Sequence, residues 1–186
     1  WAHKEGFFVG MTTEVVDVLG YERRDEKRPH RRPLLQIGLA LGKTMINLVS
    51  VEENRHDLPI YDPFCGVGSI PQEAFLSGFN SMGSDLDEKC VAQSKENASK
   101  MLGKIARKRV KRNAKLKKKG KRTLPSSVPK YFQMDVTNPK LDVLSDFDGS
   151  VVSEPDLLEP IKGYPTIHKA KKKQQKFLDQ YDRFLE

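Results

Sequence analysis

A glycine loop and a later acidic residue are the parts of this 186-residue sequence best suited to bind a small molecule. The loop, DPFCGVGS at residues 62–69, contains Gly66 and Gly68, and glycine lets a ligand approach the backbone closely. A helix that begins after the loop would offer free N–H groups. Asp85 follows Gly68 by 17 residues, close to the offset at which nucleotide-binding α/β folds place a carboxylate on ribose hydroxyls. The pattern predicts a nucleoside site.

The loop does not match the motifs that bind pyrophosphate or triphosphate groups. It lacks the pattern G-x-x-x-x-G-K-[ST], and the third glycine of G-x-G-x-x-G is missing, because Gln72 and Glu73 follow Ser69-Ile70-Pro71. We therefore expect a nucleoside cofactor without a pyrophosphate. Two simpler interpretations stay open: the glycines would also suit a plain turn between a strand and a helix, and Asp85 and Asp87 would also cap the following helix.

The elements that would position these residues alternate between strands and helices. Short apolar runs predict strands at 58–61, 80–85, 131–134 and 150–153, each followed by or ending in an acidic residue. Helical patterns predict helices at 34–49, 70–76, 88–101 and 166–184, the first largely buried and the second and third ending near Gly78 and Gly103. We expect an α/β fold, Rossmann-like and doubly wound, with a mostly parallel sheet.

The length predicts one domain over residues 1–186. We assign a basic segment and helix to 21–57, the Rossmann-like core to 58–103 and 131–186, and a mobile basic insert to 104–130. Only 26 residues follow Pro160, which is too few for the further strands that such sheets usually carry. We therefore expect the domain to be truncated at its C-terminus, or its sheet to be completed by something else.

The positive charge of the chain is concentrated in one stretch. The formal net charge is +8, from 33 Lys or Arg and 25 Asp or Glu, but residues 104–122 hold 12 of these cations and no acid. The stretch has no aromatic residue to stack on bases, so it would act by neutralising phosphates, with binding that weakens as salt rises. A solvated helix or loop and a nuclear-targeting cluster are the alternatives.

A second basic patch precedes the first predicted helix and contains Arg23, Arg24, Arg28, Arg31 and Arg32. In the family that the sequence resembles (below), this segment lies near the catalytic pocket, which implies a surface that faces the substrate. Because acids are interspersed with these arginines, a surface ion-pair network is the alternative.

The sequence lacks the marks of membrane, secreted and metal-binding proteins. No apolar run approaches the ~20 residues that span a bilayer, and the first residues lack the basic and apolar regions of a secretion signal. Cys65 and Cys90 have neither metal-ligand spacing nor a disulfide framework, which suits a reducing compartment. We expect no membrane partner, no metal and a cytoplasmic location, or a nuclear one if the source is eukaryotic.

The sequence resembles class I S-adenosyl-L-methionine (SAM)-dependent methyltransferases, and more closely the RNA methylase family that includes THUMP-associated tRNA guanine-N2 methyltransferases. The similar stretches are YERRDEKRPHRRP before a helix ending in MINLV, DPFCGVGSIPQEAFLSGFNSMGSDLDEKCVAQSKEN, FQMDV and VVSEPDLLEPIKGYP. They cover most of residues 21–165 apart from the basic insert. The resemblance implies the class I methyltransferase fold, SAM as the cofactor, and methylation of a guanine N2 amine in tRNA.

The resemblance also implies roles for individual residues. Asp62, Gly66 and Gly68 match the motif whose loop backbone lies against the methionine moiety and ribose of SAM. Asp85 matches the acid that holds the ribose hydroxyls, and Asp135 matches the acid that accepts from the adenine amino group. Carboxylates suit these roles because their hydrogen bonds are stronger than neutral ones. For Asp135, a simple turn residue is the alternative.

The fourth motif of the resembling family ends in Glu-Pro-Tyr, and this chain matches it only in part. Glu154 and Pro155 match as catalytic residues, with Glu154 accepting hydrogen bonds from the substrate amine, but Asp156 replaces the aromatic residue. An aromatic would stack on the base, which is worth ~1–3 kcal/mol. Tyr164 would supply that stacking from the next loop, or would only pack the turn before Pro165.

Three functions follow from these observations. The first is a SAM-dependent N-methyltransferase acting on RNA, with tRNA as the partner and a helper subunit as a further one. The second is a catalytically silent SAM-type fold that binds nucleic acid or a partner subunit, which Asp156 and the short C-terminal part favour. The third is an amine methyltransferase acting on DNA or protein. Covalent carbon-5 methylation of pyrimidines is not expected, because Cys65 lies on the glycine loop instead of the fourth strand.

Overall fold

The computed structural model describes residues 2–3, 6–7, 11–12, 15–33, 36–51, 58–138, 144, 147–155 and 164–185. Two short strands, β1 (Ala2–His3) and β2 (Gly6–Phe7), form an antiparallel pair. The central sheet contains β3 (Ile60–Asp62), β4 (Ser81–Asp85), β5 (Lys130–Gln133) and β6 (Ser150–Val151), in the order β5-β4-β3-β6 and with every pair parallel. The helices are α1 (Val18–Glu26), α2 (Leu39–Val51), α3 (Ser69–Ser77), α4 (Glu88–Lys118) and α5 (Ile167–Leu185).

The sheet buries one face under α2, α3 and α4. Successive strand residues face opposite sides, so Ile60 lies with the helices, in a buried cluster that includes Ile46 of α2 and Ile70 of α3. Tyr61 lies on the other face and stacks on Phe132, with ring centroids 6.2 Å apart. Parallel strands alternating with helices confirm the predicted Rossmann-like α/β fold, and the strand predictions hold to within two residues.

The first long helix differs from its prediction. The helix begins at Leu39 and ends at Val51 instead of covering 34–49. It is not largely buried: Leu41 and Leu48 are 55% and 67% exposed, whereas Ile46 is fully buried. An apolar pattern all round a helix predicts burial all round, but α2 packs one side against α3.

The fourth helix is much longer than predicted. We expected it to end near Gly103, and it continues to Lys118. Glycine inside a helix costs only about 1 kcal/mol, and the buried face continues beyond it with Ala106 and Arg109. The helix ends where Gly120 takes a left-handed φ of 62°. The basic stretch is therefore helical over most of its length, while its mobility stays a prediction.

Neither a membrane span nor a metal cluster occurs in the described ranges. No helix there is long and apolar enough to cross a bilayer. The same residues contain no group of three His, Cys, Asp or Glu placed to hold a metal ion. Cys65 and Cys90 are buried free thiols.

Candidate functional site

The carboxyl edge of the parallel sheet gathers the acidic residues that the sequence singles out. Asp62 ends β3 and Asp85 ends β4, while Asp135 and Glu154 follow β5 and β6 by two and three residues. Open α/β sheets bind ligands at this edge. The edge therefore meets the positional requirement for a cofactor site.

Gly66 connects the glycine loop to the end of the second central strand. Its N–H donates to Oδ2 of Asp85 at 2.8 Å, and the neighbouring Cys65 N–H donates to the Ser84 carbonyl at 2.8 Å. Gly66 has a φ of 51°, and a Cβ atom built on it would meet no heavy atom within 4 Å. The loop backbone at Gly66 thus borders open space beside a carboxylate, as a ligand cradle requires.

Gly68 serves a different purpose from Gly66. It is the N-cap of α3 with a φ of 87°, and a Cβ on it would lie 2.8 Å from Tyr131 Oη, 2.8 Å from Gln72 Nε2 and 2.9 Å from Ser94 Cβ. Close packing therefore requires glycine here. Packing thus accounts for the glycine at position 68, and its contact with a cofactor stays a prediction.

Asp85 uses both carboxylate oxygens to organise the edge. Oδ2 accepts from Gly66, and Oδ1 accepts from the Asp87 N–H at 2.9 Å. Because each ionised carboxylate oxygen has two acceptor sites, capacity for ligand hydroxyls remains. Asp87 itself caps α4, since its Oδ1 accepts from the Lys89 N–H at 2.9 Å. Helix capping thus accounts for Asp87, whereas Asp85 keeps acceptor capacity for a ligand.

Asp62 ties the first central strand to the last. Its side chain is buried, and Oδ1 accepts from Ser153 Oγ at 2.5 Å and from the Phe64 N–H at 3.1 Å. Burial, together with the nearby charges of Asp85 and Glu154, raises the pKa of the Asp62 carboxyl to about 7. Asp62 therefore acts on the site by fixing the chain next to Glu154.

The remaining predicted site residues lie on the surface of the same edge. Asp135 is exposed, and its Oδ1 accepts from the N–H and the hydroxyl of Thr137 at 2.9 and 2.7 Å, which is the predicted turn role. Glu154 is exposed and Pro155 is partly buried. Asp156 lies outside the described residues. Tyr164 is fully exposed, so it does not pack the turn before Pro165.

Cys65 is unsuited to nucleophilic attack. The thiol is buried, and burial, reinforced by the charges of Asp62 and Asp85, raises its pKa well above the ordinary value. Because the thiolate is the reactive form of cysteine, this side chain stays protonated and inert at neutral pH. This supports the expectation that the chemistry does not use a covalent cysteine step.

Sequence reasoning missed the polar side chains that fix the loop from behind. Asn97 Nδ2 donates to the Val67 carbonyl at 3.0 Å, and Gln72 Nε2 donates to the same carbonyl at 3.2 Å. Arg28 donates to Ser69 Oγ at 2.8 Å. One signal was available: Asn97 continues the spacing of buried residues along α4, where a polar side chain needs a partner.

The arginine patch is mostly an ion-pair network, as the alternative interpretation predicted. Arg24 makes two hydrogen bonds to the buried Glu73 carboxylate at 3.0 and 3.1 Å. Arg31 pairs with Asp25 at 2.9 Å, and Arg32 lies 3.7 Å from Asp87. These charges are largely balanced within the protein. The patch braces the site and leaves few cations to attract a distant anion.

About half of the chain is similar to known methyltransferases. Residues 36–124 match the family model of the RMKL-like methyltransferase domain. The tRNA (guanine(10)-N2)-dimethyltransferase of Methanothermobacter thermautotrophicus is 36% identical over 90 residues, which are 47% of this chain and 26% of that protein. The protein of the same description from Methanocaldococcus jannaschii is 37% identical over 84 residues, 44% of this chain and 22% of that protein. The chain spans about a quarter of the length of these curated relatives.

Among solved structures, the human methyltransferase 10 domain containing protein aligns with a TM-score of 0.48 and 15% identity, over 87% of this chain and 67% of that chain. The family match covers the glycine loop, β4 and most of α4. Over residues 36–124, the chain thus matches the methyltransferase-domain family that its sequence motifs predict.

Proposed function

We propose that the chain is the catalytic part of a SAM-dependent RNA methyltransferase that methylates a guanine N2 amine in tRNA. The observation that carries the proposal is the 2.8 Å hydrogen bond from Gly66 to Asp85, beside open space at the ligand-binding edge of the sheet. The family match over residues 36–124 supports the reaction type. The relatives described as tRNA (guanine(10)-N2)-dimethyltransferases support the substrate class.

The residues of the edge suit the parts of SAM in chemical type. The backbone at Gly66 would lie against the cofactor, Asp85 would accept hydrogen bonds from the ribose hydroxyls, and Asp135 would accept from the adenine amino group. When bound, SAM supplies a methyl group activated by its sulfonium. The protein contributes orientation, since positioning two reactants can supply a large share of a rate acceleration.

Glu154 would receive the substrate amine. An amine conjugated to a base is a poor nucleophile, so an acceptor must orient it and take its hydrogen bonds. Glu154 is exposed at the edge, and the residue before it, Ser153, is fixed by the 2.5 Å hydrogen bond to Asp62. Pro155 restricts the backbone of Glu154 to extended conformations. The acceptor is therefore presented from a backbone held on both sides.

Calorimetry with S-adenosylhomocysteine tests the first step of this proposal. The 186-residue chain should bind the compound, and Asp85→Asn should weaken binding about tenfold, because a charge-assisted hydrogen bond becomes a neutral one. Asp87→Asn is the matched control, since asparagine is also a good N-cap and should leave binding unchanged. Absence of binding to the unmodified chain, or an equal loss in both variants, would reject the assigned site.

Transfer of a labelled methyl group tests the substrate. Labelled SAM is incubated with the chain and, in parallel, with a tRNA transcript, duplex DNA and a protein extract. Label on the N2 position of guanine in the transcript is expected. Label on DNA or protein alone would establish the rival amine methyltransferases, and binding without transfer would favour the silent fold. The cytoplasmic location and the helper subunit stay predictions.

A further inference from the structure

The basic half of α4 presents its cations as an ordered row. Six of them recur at helical spacing on one face and are exposed; we call them the basic stripe: Lys104, Arg107, Lys108, Lys111, Lys115 and Lys118. Steps of three and four residues keep side chains on one side of a helix. At ~1.5 Å per residue the stripe is ~21 Å long. Six exposed charges are thus displayed along one line of the helix.

The opposite face of the same helix is anchored to the core. The Arg109 guanidinium is buried and donates to the carbonyls of Phe75 and Leu76 at 2.8 and 3.1 Å. Asn113 exchanges two hydrogen bonds with the backbone of Leu124, at 2.6 and 3.0 Å. Since these contacts lie on the side away from the basic stripe, the stripe faces away from the core.

No acid balances the basic stripe. Residues 104–122 contain 12 Lys or Arg and no Asp or Glu, and in the part of the chain that the structure describes none of the six cations makes an ion pair. Like charges three or four residues apart destabilise a helix by a few tenths of a kcal/mol per pair. A ligand with regularly spaced negative charges would remove that repulsion. The phosphates of a nucleic acid backbone are such charges.

The carboxyl edge needs such help to retain an RNA. Its own residues are mainly carboxylates, and the nearby arginines Arg24, Arg31 and Arg32 are paired with acids. RNA phosphates would therefore find little electrostatic attraction at the carboxyl edge. The α4 helix begins at this edge and reaches the basic stripe about 25 Å along its axis, at ~1.5 Å per residue from Asp87. The stripe is therefore a separate surface, remote from the reacting atoms.

We propose that the basic stripe binds the phosphate backbone of the RNA substrate, independently of sequence, and holds it while another part of the same RNA reaches the carboxyl edge. The inference rests on the proposed function for its choice of RNA. The inference that the stripe binds a polyanion is supported by its charge, its helical spacing and its anchored opposite face. The stripe has no aromatic side chain, so its contacts are electrostatic and fall with rising salt.

The test compares two triple variants with the same charge change and the same residue spacing. The stripe variant combines Lys108→Gln, Lys111→Gln and Lys115→Gln. The control combines Lys169→Gln, Lys172→Gln and Lys176→Gln, which are exposed lysines of α5. Fluorescence anisotropy without cofactor measures the affinity of the full chain for a tRNA transcript and for duplex DNA at several salt concentrations, and circular dichroism checks that each variant is folded.

The stripe variant should bind the transcript about tenfold more weakly at ~0.1 M salt, and its logarithmic salt dependence should fall by about 2 to 3, close to one for each phosphate that the variant no longer neutralises. The control should change affinity less than about twofold. An equal loss in both variants would show that net charge alone acts and would overturn the inference. A loss confined to duplex DNA would overturn the choice of RNA.

Methylation kinetics separate this inference from the proposed function. If both are right, the stripe variant raises KM for the transcript about tenfold and leaves kcat unchanged, because the stripe lies far from the reacting atoms. Stripe-dependent binding without methylation by the unmodified chain would reject the function and keep the RNA surface. Methylation with unchanged KM in the stripe variant would reject the surface and keep the function.

Discussion

At the carboxyl edge of the sheet, backbone N–H groups donate to carboxylates, whereas at the amino edge cationic side chains donate to backbone carbonyls. The bonds from Phe64 to Asp62 and from Gly66 to Asp85 represent the first kind. The three bonds from Arg109, to Phe75, Leu76 and Pro125, represent the second. The two edges of one sheet are thus stabilised by opposite charges.

This division follows from the topology. In a strand-helix-strand unit, the helix begins at the carboxyl edge and ends at the amino edge, so free N–H groups collect at one edge and free carbonyls at the other. The helix dipole favours acids at the first and cations at the second. The comparison teaches that a carboxylate-rich site and a basic surface arise on opposite edges for the same physical reason, and each can be tested separately.

The largest expected effect comes from comparing the two glycines of the loop. Gly68→Ala should lower the free energy of unfolding by about 3 to 4 kcal/mol, because a left-handed residue gains a side chain and that side chain meets Tyr131, Gln72 and Ser94. Gly66→Ala should cost only about 1 kcal/mol, since its Cβ meets nothing. Urea unfolding measures both.

Cofactor binding should rank the same two variants differently. The Gly66→Ala methyl group enters the space proposed for the ligand, so affinity for S-adenosylhomocysteine should fall although the fold is nearly intact. If the two variants lost the same stability, the division of roles between the glycines would be wrong.

At the amino edge, Arg109→Ala should lower the free energy of unfolding by about 2 to 3 kcal/mol. The change removes the hydrogen bonds of a buried charged donor: the Leu76 carbonyl loses its bond to the guanidinium, and the Phe75 carbonyl keeps only the Gly78 N–H. Arg107→Ala, on the exposed side of the same helix, is the matched control and should change stability by less than about 0.5 kcal/mol. Equal effects would mean that α4 is not anchored by Arg109.

The sequence predicted the parts of the site that depend on neighbouring residues. The glycine loop, the acids at strand ends and the helix stop at Gly78 are local patterns with a local physical cause, and the structure has each where it was expected. The different roles of Gly66 and Gly68 were not predictable, because they depend on side chains from other elements. The bond between Asp62 and Ser153 joins residues 91 positions apart.

The length of α4 shows how a strongly basic composition can hide the periodicity of a helix. Its buried face includes Arg109, a cation that replaces an apolar residue at the expected spacing and satisfies carbonyls instead of packing a methyl group. The surrounding charges hid the continuation of the helix beyond Gly103. A pattern that counts only apolar residues cannot recognise an arginine that belongs to the core.

The smallest effect is a pH dependence confined to the carboxyl edge. The folded pKa of Asp62, about 7, lies above its ordinary value of 3.8, so the folded state holds a proton that the unfolded state releases between these two values. The contribution of this bound proton to the free energy of unfolding is therefore fully present below about pH 4 and is lost as pH rises towards 7. Asp62→Asn cannot ionise and should lack this loss.

Urea unfolding at pH 5, 6, 7 and 8 tests that difference. The free energy of unfolding of the unmodified chain, relative to Asp62→Asn, should fall by about 1 to 2 kcal/mol from pH 6 to pH 8. The difference between the unmodified chain and Arg109→Ala should stay constant over the same range, because a guanidinium remains charged throughout. A pH-independent Asp62→Asn difference would mean that Asp62 is ionised when folded, and the opposition between an acid edge that titrates near neutrality and a cationic edge that does not would fail.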